Sequence, residues 1–212
     1  MMPVPIKVAV PSDANRVVNT IVQAFSVDPV ARWFYPSREK YLRYFSVFVE
    51  AFAGAAFEHG SGDCIHDYLG AALWLPPGVH PDEEVLFALL QDTIPKEDQA
   101  DVFALLQAMD RNHPVEPHWY LPMIGVDPAK QRNGYGSALL KHALRRCDGQ
   151  HAVAYLESSS PKNVPLYERH GFELLGTIQV GSSPALFPML RRPRPSFGNR
   201  KNPDHAAADP SG

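Results

Sequence analysis

The sequence predicts a single mixed α/β domain, and three observations carry that prediction. Short apolar runs with strand character alternate with segments of helical periodicity from Pro5 to Arg192. Of the 212 residues, 45% are hydrophobic and 10% aromatic, which suits one sizeable buried core rather than a disordered chain. The third is the stretch "GVDPAKQRNGYGSALLKHAL", Gly125 to Leu144, where an apolar strand passes through a proline turn and two glycines into a helix.

Each element has its own local reason. "PIKVAV" reads as an opening strand, and "PSDANRVVNTIVQAF" as the helix after it, with Ser12 or Asp13 at the N-cap. "SVDPVARWFYPS" reads as a loop, bounded by prolines and holding Trp33, Phe34 and Tyr35. Residues 38–58 return to helical spacing, with Tyr41, Phe45, Phe48, Val49 and Phe52 on one face. "GDCIHDYLGAALWLP" gives two short strands turning near Leu69 and Gly70, and "AALWL" has the unbroken apolar run of a buried central strand. Residues 81–110 form two amphipathic helices broken at Pro95, the second started by the acidic turn Glu97–Asp98. Strand "HWYLPMIGV", the glycine-led helix, strand "HAVAYLE", the segment "SSSPKNVPLYERHGF", strand "ELLGTIQV" and a last strand near "ALFPML" complete a domain spanning 1–192. From Pro193 onward proline, glycine, alanine and charge replace any periodicity, so residues 193–212 are expected to be a disordered basic tail.

Composition narrows the function. A net charge of −3 argues against wholesale nucleic-acid binding. Residues 191–212 hold five cations against two aspartates, a surplus of +3 that leaves −6 for residues 1–190. Cys64 and Cys147 lie far apart without a C-x-x-C partner, so neither a disulfide framework nor a zinc site is expected, and a reducing cytoplasm is the natural location. No charged-then-apolar leader is read at the N-terminus, and "FSVFVEAFAGAAF" is interrupted by Glu50 and too short to span a bilayer. The nine histidines show no metal-ligand spacing; His113 and His118, the closest suggestive pair, flank two prolines and read as loop residues.

The glycine-bearing stretch suits an anion. Amides of a first helical turn lack intrahelical partners, and the helix dipole adds positive charge there. Gly134 and Gly136 remove side chains that would hold a phosphate away from those amides, while Lys130, Gln131 and Arg132 offer further donors. A dinucleotide fingerprint would need a third glycine where Leu139 stands. Neither a P-loop nor a G-x-S-x-G elbow is present. What remains is Q-x-x-G-x-G after a strand, which a helix start merely packed on a sheet would also satisfy.

A second segment, one strand further on, changes the balance. "YLESSSPKNVPLYERHGFELLG" contains N-x-x-x-Y-E-R-x-G-F, formed by Asn163, Tyr167, Glu168, Arg169, Gly171 and Phe172. With these two motifs the sequence resembles the GCN5-related N-acetyltransferases, the GNAT superfamily. "AFSVDPVARW", "ALWLPPG", the helical insert and "LPMIGVDP" follow in the order of puromycin N-acetyltransferase-like members.

The resemblance implies a single-domain GNAT fold: a mixed, mostly antiparallel central sheet flanked by helices, with a helical insert between the third and fourth strands. It implies acetyl-CoA as cosubstrate, no metal, and direct acetyl transfer to the primary amine of a small molecule. Ile124, Gly125 and Val126 should run beside the pantetheine arm. Gln131, Arg132, Asn133, Gly134, Tyr135, Gly136 and Ser137 should hold the pyrophosphate, and Asn163 should contact the cofactor arm or order the site. Tyr167 should be the general acid: a phenol near pKa ~10 stays protonated where a thiol near ~8.5 leaves.

An amine near ~8 needs only a mild base, and Glu157 at its strand end could supply it through a water, with Glu116 and His118 as weaker candidates. The Val126 amide is the economical donor to a developing oxyanion. Trp33, Tyr35, Trp119 and Tyr120 are candidate acceptor contacts, and the insert at 79–117 is expected to shape the acceptor pocket. Ser158 to Ser160 lack the context of a nucleophile and read as a helix cap. The expected state is a monomer or homodimer, apart from nucleic acid and membrane. The alternatives are a non-catalytic acyl-CoA-binding regulatory module of the same fold and a nucleotide-binding α/β domain.

Overall fold

The computed structural model describes residues 4–194; the tail expected after Pro193 otherwise lies outside the described residues. In chain order the elements are β1 (Ile6–Val8), α1 (Ala14–Ala24), α2 (Pro29–Phe34), α3 (Arg38–Ala53), α4 (Ala55–Glu58), β2 (Gly62–Ile65), β3 (Gly70–Leu75), α5 (Glu83–Thr93), α6 (Lys96–Asn112), β4 (His118–Val126), α7 (Tyr135–Gly149), β5 (Val153–Ser158), α8 (Val164–Arg169), β6 (Glu173–Leu174) and β7 (Phe187–Arg191). The strands form one sheet in the order β1-β2-β3-β4-β5-β7-β6. Every pair is antiparallel except β4 with β5, which is parallel. The mixed, mostly antiparallel sheet and the insert α5–α6 between β3 and β4 are those the sequence predicts.

Two apolar layers bury the sheet. On one face α1 and α3 bring Ile21, Phe45, Phe48 and Phe52 against Leu73, Tyr120, Met123 and Tyr155. On the other, α7 lays Leu139, Leu140, Ala143, Leu144 and Cys147 over Trp74, Trp119, Ala154 and Leu156, the stripe that 3.6-residue periodicity produces. Gly125 governs how closely α1 can lie on β4: a Cβ built there would stand 2.6 Å from the Ala24 Cβ.

One feature of the sheet positions the site. The β4–β5 register runs only through His118–Val153, Trp119–Ala154 and Tyr120–Tyr155. Beyond Tyr120 the two strands part. The Asp127 amide donates to the Leu69 carbonyl on the β3 side, so strand alternation turns the amides of Ile124 and Val126 toward the opening.

Three local expectations are corrected. The segment 26–37 contains a short helix, not a loop alone: Asp28 caps it by accepting from the amides of Val30 and Ala31, both at 3.0 Å, and Pro29 sits at the favoured first position. The strand read over 173–180 shrinks to Glu173–Leu174, with one bridge between Ile178 and Leu186. The serines do not cap α8, whose N-cap is Asn163; Ser158 bonds to the Ser160 carbonyl and Ser159 to Asp28.

Candidate active site

A cleft of about 690 Å³ opens where β4 and β5 part. Gln131, Arg132, Gly134, Tyr135, Gly136 and Ser137 line one end of it, with Asn163 and Tyr167 from α8 alongside. Arg132 and Gly134 both take left-handed backbone, at φ 66° and 80°. Glycine adopts that conformation without strain, and alternation of this kind turns successive amides toward one concavity.

Whether the loop fits a pyrophosphate is decided by those amides. Among the described residues, none of the amides from 131 to 137 donates to the backbone; the first helical bond of α7 comes from Ala138 to the Gly134 carbonyl. Seven free donors at a helix N-terminus, with Arg132, Lys162 and Arg169 on the same cleft, match a polyanion. The unpaired edge of β4 beside them has room for an extended arm, to which Ile124 and Val126 offer amides.

Tyr167 is buried and lines the cleft, and its hydroxyl has no hydrogen-bond partner. Burial, reinforced by the charge of Asp28, holds its pKa well above the ordinary phenol range, so it carries its proton throughout neutral pH. Across the opening stands Glu157 on β5, its side chain 2% exposed and its Oε1 without a hydrogen bond. Asp28 also faces the cleft, and burial raises its pKa against the opposing bonds from Ser159, Ala31 and Val30. The far end is apolar, walled by Phe25, Phe34, Phe45, Phe48 and Phe52 together with Leu106 and Met109 of the insert.

The structure divides the predicted acceptor contacts. Tyr120 lines the cleft. Trp119, its neighbour on β4, points to the opposite face by strand alternation, under the Arg146 guanidinium and with Nε1 donating to Gln150 at 2.8 Å. Tyr35 is wholly buried, its hydroxyl paired with Thr93 at 3.1 Å, and Trp33 reaches toward Ser182; neither lines the cleft. Phe34, between them, does, because the helical turn of α2 points it inward. Asn133 is turned to its own loop, donating to the carbonyls of Lys130 and Gln131.

Sequence reading missed several groups. Asp28 and Lys162 left no motif of their own, and Arg169, though part of the Y-E-R motif, was assigned no place in the cleft. His113, read as a loop residue, and His118, named as a weaker base candidate, form a hydrogen-bonded pair at 3.0 Å, and His113 Nε2 lies 3.5 Å from Glu157. No spacing rule could find the contact with Glu157, because the end of α6 meets β5 only in the folded chain. Glu116 meanwhile pairs with Arg192 at 3.2 Å and does not line the cleft.

Comparison with known proteins identifies the family and the fold. The family model described as "Acetyltransferase (GNAT) family" matches residues 56–172, and the chain belongs to that family. It is thus an acetyltransferase of a class that uses acetyl-CoA as cosubstrate. An uncharacterised N-acetyltransferase of Schizosaccharomyces pombe is 25% identical over 206 residues, covering 85% of this chain and 80% of the relative. A Corynebacterium glutamicum structure described as histone acetyltransferase HPA2 and related acetyltransferase superposes with a TM-score of 0.66 at 25% identity, over 92% of this chain and 99% of that one. The polyamine N-acetyltransferase of Drosophila melanogaster shares the fold, with a TM-score of 0.62 at 13% identity over 89% and 99% of the two chains. No described helix is long and apolar enough to cross a membrane.

Proposed function

We propose that the chain transfers acetyl from acetyl-CoA to the primary amine of a small, largely apolar molecule, with Tyr167 as general acid and Glu157 as general base. The observation that carries this reading is that a free phenol, a buried carboxylate and an unpaired amide cradle share one cleft at the parting of β4 and β5.

Bound acetyl-CoA supplies an acetyl thioester; the rest is done by the chain. Amides 131–137 and the nearby cations hold the phosphates, and β4 aligns the arm. Glu157 takes one proton from the acceptor ammonium, directly or through a water, and the neutral nitrogen forms the new C–N bond. The Val126 amide offers a hydrogen bond to the carbonyl oxygen as charge builds on it. As the C–S bond breaks, Tyr167 gives its proton to the sulfur and regains one from the acylated nitrogen. The balance is one amide, one thiol and one released proton.

The apolar wall supports an acceptor with an aromatic or alkyl body. Its five phenylalanines offer little to a polyhydroxylated or polycationic molecule. The sequence resemblance to puromycin N-acetyltransferase-like members supports testing aminoacyl-nucleosides among the acceptors.

The test is CoA-thiol release from acetyl-CoA across puromycin, amino acids, polyamines, arylalkylamines, aminoglycosides and short peptides. An apolar amine should be acetylated, and Tyr167→Phe should lower kcat by about 10²-fold or more. Tight acetyl-CoA binding with no turnover across the panel would favour the non-catalytic module. Undiminished turnover by Tyr167→Phe would remove the acid.

A further inference from the structure

Beneath the insert lies a second cavity, of about 610 Å³. Phe52, Leu106, Met109 and Tyr120 line both it and the cleft, so the two spaces share a wall. Three titratable side chains run through that wall. Glu157 faces the cleft; His113 and His118 line the second cavity.

The hydrogen bonds of this series set the tautomers. His118 Nδ1 lies 2.9 Å from the Glu116 carbonyl oxygen. A carbonyl only accepts, so His118 keeps its proton on Nδ1, and the neutral ring offers a lone pair at Nε2. His113 Nδ1, 3.0 Å away, must then carry the proton of that bond. This leaves the Nε2 lone pair of neutral His113 facing Glu157 Oε1 at 3.5 Å, the carboxylate oxygen with no donor. Two acceptors face each other, with a place between them for one more proton.

We propose that His113 and His118 relay to the second cavity the proton that Glu157 takes from the acceptor ammonium, a role that rests on Glu157 being the base. Proton transfer from Glu157 to His113 Nε2 makes an imidazolium. Its Nδ1 proton moves to His118 Nε2, and His118 releases its own Nδ1 proton to water in the second cavity. Both rings then turn about Cβ–Cγ, so that each loses its Nε2 proton to the second-cavity water and regains one at Nδ1, one proton each way; without that turn the proton would be handed back to Glu157. One proton leaves for each amide formed, and no electrons change hands. Both histidines are positioning residues, acting through Glu157.

The surroundings suit the task. The rings of Tyr120 and Tyr155 pack on His113 at 4.5 and 4.7 Å between centroids. Burial, then the charge of Glu157, pushes both phenols up, so neither surrenders a proton to the series. Burial also lowers the pKa of His118, with His113 and His80 adding to that, against the Glu116 carbonyl and the Glu157 charge. It therefore waits as a neutral acceptor. Glu83, Asp110 and Glu116 add negative charge around the second cavity, which draws a proton outward, while Arg192 pairs with Glu116.

The test has two arms on the full chain. In the first, imidazole ¹⁵N shifts are followed against pH in the wild type and in Glu157→Gln. The wild type should show both rings protonated on Nδ1 near neutral pH, and the substitution should move the His113 Nε2 resonance, the nitrogen that faces residue 157, while the His118 tautomer holds. An Nε2–H tautomer at His118, or an unmoved His113 Nε2 resonance, would overturn the relay without any turnover being measured.

In the second arm, kcat is measured against pH with an accepted amine. His113→Gln should lower kcat about tenfold below the pKa of the amine, with its KM held within twofold. The loss should fade above that pKa, where the amine arrives neutral, and added imidazole should restore part of it. An unchanged kcat, or a loss that persists at high pH, would overturn the relay. A His113 Nε2 resonance that responds to Glu157→Gln with no amine acetylated would instead refute the proposed function and leave the contact between Glu157 and His113 standing, so the two failures are told apart.

Discussion

The Ser159 hydroxyl donates to the carboxylate of Asp28, joining the loop after β5 to the N-cap of α2 across 131 residues of chain. The other oxygen of Asp28 holds the first turn of α2 through two amides. One carboxylate thus ties the short aromatic helix to the strand end that carries Glu157.

Asp28→Ala removes the cap and that tie together. It should destabilise the fold by about 1–2 kcal/mol, the usual cost of a lost cap, read from urea unfolding. A loss below ~0.3 kcal/mol would show that α2 is held by its apolar face alone.

Gly125→Ala places a methyl carbon 2.6 Å from the Ala24 Cβ, where α1 crosses β4. Overpacking there should cost about 1–3 kcal/mol. The double substitution with Ala24→Gly should recover part of it, less about 1 kcal/mol for glycine within a helix. Additive losses in a double-mutant cycle would place the strain elsewhere.

Met109→Ala enlarges the insert's side of the cleft without touching the amide loop. The KM for an apolar amine should rise about 5- to 30-fold, the equivalent of about 1–2 kcal/mol of lost contact, while the KM for acetyl-CoA holds. Equal changes in both would mean that the insert orders the whole cleft.

Asp13 joins β1 to α1. The Tyr68 hydroxyl, then Lys7, then the Val10 amide, lower its pKa to about 2 from 3.8. Because the folded value lies below the unfolded one, its contribution is complete above the unfolded pKa. It is lost as pH falls from about 4 toward 2. Asp13→Asn should therefore flatten the fall of Tm across that window, and an unaltered slope would assign acid unfolding to other carboxylates.

Much of the fold and part of the candidate site were legible along the chain, for a common reason. The stripe Leu139, Leu140, Ala143, Leu144 and Cys147 announces its helix, and Gly134 and Gly136 announce its start, through neighbours a few residues away. Tyr167 and Asn163 share one short motif. The acceptor side was less legible. Strand alternation requires Trp119 and Tyr120 to face opposite ways, but which of them meets the cleft depends on where α3 and α7 pack. Tyr35 and Phe34 traded places with expectation because Asp28 winds their segment into a turn of helix.

What the sequence by itself determined was the order of elements, the membership in an acetyltransferase family and the amide loop with its following tyrosine. Each is set by backbone preference or side-chain spacing within a few residues. Only the tertiary structure decided that Glu157, His113 and His118 stand in series, that β4 and β5 part beyond Tyr120, and that Asp28 meets Ser159. Those relations join residues from different elements, and burial and hydrogen bonding select them only once both faces of the sheet are covered.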